Sequence, residues 1–181
     1  LDGQQLTNTG VVQGNTLTLS QDRIHNQGVL IGLQSLTVAA PQQELMNAAG
    51  GSLLTQGMLK VTSGDVTNAG TWQGQSILLN AQSLINSGAI QSADALQLML
   101  VKNLTSAEGS KVTALGNATL QALSLTNNGQ WAASHLTLNG TTLDNAGAIS
   151  GVNGLTLAMN GAVSQQASGS MLTGGALDLN A

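Results

Sequence analysis

The sequence predicts an all-β fold: a right-handed parallel β-helix (β-solenoid) of about nine coils, with three short strands per coil. Three observations predict it. A unit of about twenty residues recurs along the 181-residue chain, and a period of that length marks a repeat architecture. Inside each unit, short stretches such as Leu17-Thr18-Leu19 alternate apolar and polar residues, the period of a strand. The corners between stretches are built from Asn and Gly but lack the paired positive-angle residues of a two-residue hairpin. Strands this short are stable only when each lies in parallel on its copy in the next unit. Parallel crossovers are overwhelmingly right-handed, which gives the hand of the coil.

Aligned on their first apolar residue, the units begin near Leu6, Ile24, Leu45, Val66, Leu84, Leu104, Leu125, Leu143 and Val163. The steps are 18, 21 and 21, then 18, 20 and 21, then 18 and 20 residues, so a triplet of units overlies the single unit. Two residues after each anchor stands an amide column of Asn8, Asn26, Asn47, Asn68, Asn86, Asn127 and Asn145. Ser106 and Gln165 replace Asn in two third members of a triplet. In first and second members a Gly follows two residues later (Gly10, Gly28, Gly70, Gly88, Gly129, Gly147). In third members the corner is longer and the Gly comes later (Gly50 and Gly51, Gly109, Gly169). Since Asn and Gly tolerate left-handed backbone angles, both versions read as tight corners.

Beyond the corner lies one apolar position per unit: Val12, Leu30, Leu53, Trp72, Ile90, Val112, Trp131, Ile149 and Met171. This column is expected to point into the core. The closing alternation follows the anchor by 11, 12 and 14 residues, then 11, 12 and 16, then 11, 12 and 14. Its outward column is read as Thr18, Thr37, Lys60, Leu78, Gln97, Gln121, Thr137, Thr156 and Asp178, too mixed for a flat Thr array. Pro41 falls in the link between the second and third coils, where it removes no ladder donor. Neither end shows a polar capping unit, so residues 1–181 read as a single β-helix segment without caps.

Composition fits a thin, uniform core. Aromatic residues are 1% of the chain, with no Phe or Tyr, so Leu, Val, Ile and Ala must fill the interior. Charged residues are 7%, against roughly a quarter in ordinary soluble domains, which leaves Asn, Gln, Ser, Thr and Gly to face water. Arg23, Lys60, Lys102 and Lys111 form no cluster, so no nucleic acid partner is expected. No apolar run approaches the ~20 residues of a membrane span, and no membrane insertion is expected. The lack of Cys excludes disulfides and thiolate metal sites.

Residues with chemical potential are few. Trp72 and Trp131 invite a sugar-stacking reading, but they share a column with Val12, Ile90 and Ile149. His25 and His135 differ in register and have no partner at metal-ligand spacing. Asp22, Glu44 and Asp65 precede successive anchors and are expected to stack near one edge. A polysaccharide-cleaving site would need clustered carboxylates with a base, and only Arg23 lies near them. No calcium-binding nonapeptide run is present. The expectation is therefore a non-enzymatic chain with no catalytic residue, no cofactor and no metal.

Units such as LTNTGVVQGNTLTL, LINSGAIQSADALQL and LDNAGAISGVNGLTL resemble filamentous haemagglutinin repeats, and the match runs along essentially the whole chain. These repeats occur in the large exoproteins of bacterial two-partner secretion systems, among them adhesins and contact-dependent growth inhibition effectors. The resemblance implies a right-handed shaft, threaded through an outer-membrane two-partner secretion transporter and displayed, secreted, at the bacterial cell surface. It implies a structural role for a monomeric segment that projects adhesive, receptor-binding or toxin regions toward a receptor or glycan on a target cell. An adhesive module for host glycan or receptor is the alternative, and a carbohydrate-active β-helix enzyme a third. Nothing resembles that family's secretion domain, a toxin or an RGD tripeptide.

Overall fold

The computed structural model describes residues 2–180. Among them are sixteen strands and no helix, and the strand pairings are parallel. The strands form stacked coils of a β-solenoid with about nine turns. The anchors lie on one another in register: Leu6 on Ile24, Ile24 on Leu45, and Leu45 on Val66. The column continues through Leu84, Leu104, Leu125 and Leu143 to Val163. A second column runs from Val12 through Leu30, Leu53, Trp72, Ile90, Val112, Trp131 and Ile149 to Met171. The arms of a coil are not always separate elements. Met58–Asn68 joins the closing alternation of one coil to the anchor of the next, because pairing with Ser76–Asn86 persists around the bend.

Period-2 alternation places the core. In Leu96–Ser106, Leu96, Leu98, Leu100 and Leu104 are buried while Gln97 and Lys102 are exposed. Buried apolar side chains from all but the outermost parts of the stack form one continuous cluster. Each fully buried Leu or Ile stabilises the stack by about 1.5–3 kcal/mol, yet only when the neighbouring coils cover it.

The closing strand of the sixth unit differs from the expectation. Ala118, rather than Leu120, lies in register with Leu96 below and Leu136 above. The offset from Leu104 is thus 14 residues, and all three triplets share one pattern. Leu120 is two residues on, points to the same buried face, and pairs with Leu98 and Leu138. Ladder pairing sets the register, and the small Ala118 is as buried as the Leu residues it stacks on. The outward column accordingly passes through Thr119 instead of Gln121, giving Thr119, Thr137 and Thr156 on successive coils. Lys60, Leu78, Gln97 and Asp178 still interrupt it. Pro41 sits where the register slips between Ala40 and Glu44, so no ladder bond depends on its missing N–H.

The corners use glycine for two different reasons. Only Gly50 and Gly109 have positive φ among the described residues, at +82° and +80°. Each is the third residue of a turn closed by a backbone hydrogen bond, Gly51 N–H to Ala48 C=O at 2.8 Å and Ser110 N–H to Ala107 C=O at 3.1 Å. That is the arrangement of a type II turn. In the third long corner the equivalent residue is Ser168, which has no positive φ. The short corners are tight without using the left-handed angles that Asn and Gly tolerate. Their glycines answer to close approach: a Cβ on Gly28 would overlap the Gly10 carbonyl oxygen, and one on Gly88 the Gly70 carbonyl oxygen.

A pair of substitutions separates the two causes. Gly28→Ala should destabilise the chain by about 1–3 kcal/mol through overpacking. Gly10→Ala, where a Cβ meets nothing within 4 Å, should stay within about 0.5 kcal/mol of the parent. Urea unfolding followed by circular dichroism measures both, and equal effects would reject close approach as the reason for glycine.

Candidate functional site

The amide column is the most ordered polar feature of the molecule. Asn8 Nδ2 donates to Asn26 Oδ1 at 2.8 Å, Asn26 to Asn47 at 2.8 Å, Asn47 to Asn68 at 2.9 Å and Asn68 to Asn86 at 2.9 Å. A second run joins Asn127 to Asn145 at 2.9 Å and Asn145 to Gln165 Oε1 at 3.0 Å. Each amide also ties its own corner to the next coil. Asn26 Nδ2, for instance, donates to Gly28 C=O at 3.0 Å and Ser52 C=O at 3.2 Å. Asn26 through Asn86, Asn127 and Asn145 are fully buried, so these bonds form where an unmade one is costly. The buried asparagine amides are thus engaged within the stack, while Gln165 at the end of the second run is exposed.

The run stops at Asn86, because the next residue in register is Ser106. Asn86 Nδ2 keeps only the backbone bonds its counterparts also make, to the Gly88 carbonyl at 3.4 Å and the Lys111 carbonyl at 3.1 Å. Ser106 Oγ accepts from the indole of Trp131, one coil on, at 2.7 Å. Both Trp72 and Trp131 are fully buried. Trp72 occupies the same column, but its Nε1 has no hydrogen-bond partner. The coil beneath it carries Asn47, whose Oδ1 already accepts from Asn26 and whose Nδ2 donates to Asn68. The Ser106–Trp131 bond was not anticipated from the sequence; the one available signal is that Ser replaces Asn directly beneath a Trp coil.

Charged groups are dispersed. Glu44 and Asp65 are neighbours on adjacent coils, but the residue in register on the other side of Glu44 is Arg23, not Asp22. Arg23 Nε meets Glu44 Oε1 at 3.1 Å, with both side chains nearly half exposed. An exposed pair of this kind contributes at most about 1 kcal/mol. The expected stack of three carboxylates is thus two carboxylates and a guanidinium. His25 lies 3.4 Å from Gln27 Nε2, and His135 packs against Gly154. Among the described residues, no group of three or more His, Asp or Glu is placed to hold a metal ion.

The chain is 49% identical to the tRNA nuclease CdiA of Escherichia coli (strain NC101), over all of this chain and 6% of that protein. Its homologues are CdiA proteins. The 16S rRNA endonuclease CdiA of Enterobacter cloacae subsp. cloacae is 47% identical over 93% of the chain and 5% of that protein. The deoxyribonuclease CdiA of Dickeya dadantii (strain 3937) is 36% identical over 94% of the chain and 5% of that protein. The resemblance to contact-dependent growth inhibition exoproteins is therefore a homology, and it covers a stretch about one twentieth the length of the CdiA relatives. No family model matches the chain, and no solved structure gives a significant match.

These names correct the expectation of a non-enzymatic protein. The relatives are called tRNA nuclease, 16S rRNA endonuclease and deoxyribonuclease. A repeat read coil by coil carries information about stacking and none about the rest of those much longer proteins. For the same reason, the absence of a basic cluster speaks for these coils alone.

The two indoles provide a direct test. Ser106→Ala leaves the buried Trp131 N–H without an acceptor and should cost about 1–3 kcal/mol. Trp131→Phe should cost about 1 kcal/mol more than Trp72→Phe, because only the former loses a hydrogen bond. Thermal melts of the three variants measure this, and equal losses for the two Phe variants would mean that the Ser106 bond contributes nothing net.

Proposed function

We propose that the chain is a shaft segment of a secreted CdiA-type effector, displayed at the bacterial cell surface and exported through an outer-membrane two-partner transporter. The parent is a nuclease toxin in the sense of its relatives' names, and this segment sets the reach between the producing cell and a receptor on its target. One observation carries the reading: the anchor column, the second apolar column and the closing strands all repeat in register from coil to coil. Such a stack transmits length rather than chemistry.

In this reading the amide ladder and the apolar column are scaffold. The ladder fixes the register of each corner, and the column supplies burial as each coil docks on the last. A chain that emerges unfolded can then fold coil by coil, because each coil needs only its neighbour. Low charge suits the same task, since little electrostatic work is done in stacking coils.

The triplet gives the shaft a natural unit for testing. Deleting residues 66–124 removes three coils and leaves first, second and third corners in order. The shortened chain should remain folded, and its longest dimension in small-angle scattering should fall by about 14 Å. In a CdiA parent carrying this stretch, the same deletion should preserve surface display of an epitope tag while reducing inhibition of neighbouring cells. Collapse of the shortened chain, or undiminished inhibition at any shaft length, would overturn the reading.

A further inference from the structure

One face of the rod carries a feature that a shaft does not require. At the bend between the closing strand and the next anchor, a shallow groove of about 910 Å³ runs from Pro41 to Asn160. It crosses every coil from the second to the eighth, which is about 30 Å at the spacing of parallel strands. Small buried residues make its floor, Ala81 and Ala122 among them, so the surface is drawn in along this line. One wall is a register column of Thr62, Asn80, Met99, Gln121 and Asn139. The exposed side chains of Val101 and Leu123 flank the other side.

The amides of this wall behave unlike the other stacked amides. Asn26 and Asn47 bond across a coil step at 2.8 Å, and Gln73 bonds Gln91 at 3.2 Å even on the surface. Among the described residues, the side chains of Asn80, Gln121 and Asn139 make no hydrogen bond with the chain. Met99 interrupts the column between Asn80 and Gln121, so these two cannot pair with each other. Three primary amides of this wall thereby face the open groove with no bond to the chain, and Gln82 and Asn160 add two more to its lining.

The lining also selects against other ligands. No charged residue lines the groove, which gives a polyanion nothing to pair with. The strands along it are hydrogen-bonded on both sides by neighbouring coils, so no sheet edge is available for an added peptide strand. Recognition must come from amide side chains and apolar contact. That combination fits a ligand with hydroxyls on its rim and C–H groups on its faces. The coil spacing is close to the length of one pyranose ring, so successive rings would meet successive coils.

We propose that this groove binds a linear, uncharged polysaccharide, one ring per coil, with Asn80, Gln121 and Asn139 as the hydrogen-bonding residues. Binding is weak per coil and accumulates along the chain, as multivalent contacts do. The shaft would then hold neutral glycan laterally along its length.

Titration calorimetry of the 181-residue chain with cellohexaose and mannohexaose tests the proposal, with hexagalacturonate as the charged arm and a neutral hexapeptide as the peptide arm. At least one neutral hexaose should bind saturably and more tightly than hexagalacturonate or the peptide. Gln121→Ala combined with Asn139→Ala should weaken that binding roughly tenfold with an unchanged thermal melt, since neither side chain has a partner to lose. Asn80→Ala should weaken it severalfold, and Gln73→Ala combined with Gln91→Ala, on another face, should not change it. No binding of either neutral hexaose, preference for hexagalacturonate or the peptide, or binding that survives the groove substitutions would each overturn the proposal. None of those results bears on the shaft reading, which stands or falls on the length of the rod.

Discussion

The rest of the structure depends on one constraint: no coil can bury its apolar side chains without the coils beside it. A coil contributes a handful of Leu, Val, Ile and Ala residues, each covered from above and below rather than from within. The stack must therefore keep the spacing of a parallel ladder at every step, including the corners, where backbone bonds such as Val29 N–H to Gly10 C=O at 2.8 Å continue it. At the short corners this spacing leaves no room for a Cβ, so Gly28 and Gly88 follow from the packing. The Asn column answers the same need with hydrogen bonds, tying each corner to the next through buried amides.

The triplet adds a second level of order. Two short corners and one longer corner alternate, and the third position is where the regularity is spent. There the amide column loses its Asn at Ser106, and the released space admits the indole N–H of Trp131. The same column position under Trp72 keeps Asn47 and preserves the ladder, leaving the indole N–H unpaired. These two sites resolve one conflict in opposite ways. A continuous amide run and a hydrogen-bonded tryptophan are not both present at the same step.

Much of the fold was legible because large apolar residues mark its columns at fixed spacing. The anchors and the triplet are visible in the sequence at Leu6, Val66 and Leu125. The closing strand of the sixth unit was misplaced because Ala118 is small and Leu120, on the same face, is a louder apolar signal. The acidic stack was misread by one residue, and in a strand one residue exchanges the faces, so Arg23 stands where Asp22 was expected. The reason for the corner glycines is not in their identity but in the carbonyl one coil away. Ser106 and Trp131 lie 25 residues apart, and nothing local to either announces the other. The nuclease names of the relatives were beyond reach for a simpler reason: the homologous stretch is a small fraction of each protein.

The two tryptophans have a consequence for how the molecule can be watched. With no Tyr or Phe, absorption and emission in the near ultraviolet come from these two rings alone. One indole has a hydrogen bond to a hydroxyl and the other has none, so their emission bands should be separable. They sit in different triplets, three coils apart, at Trp72 and Trp131. The rod thus carries two native optical markers in different hydrogen-bonding surroundings, each reporting on its own stretch. Fraying from one end would reach them at different times, and a stack that melts as a single body would lose both together.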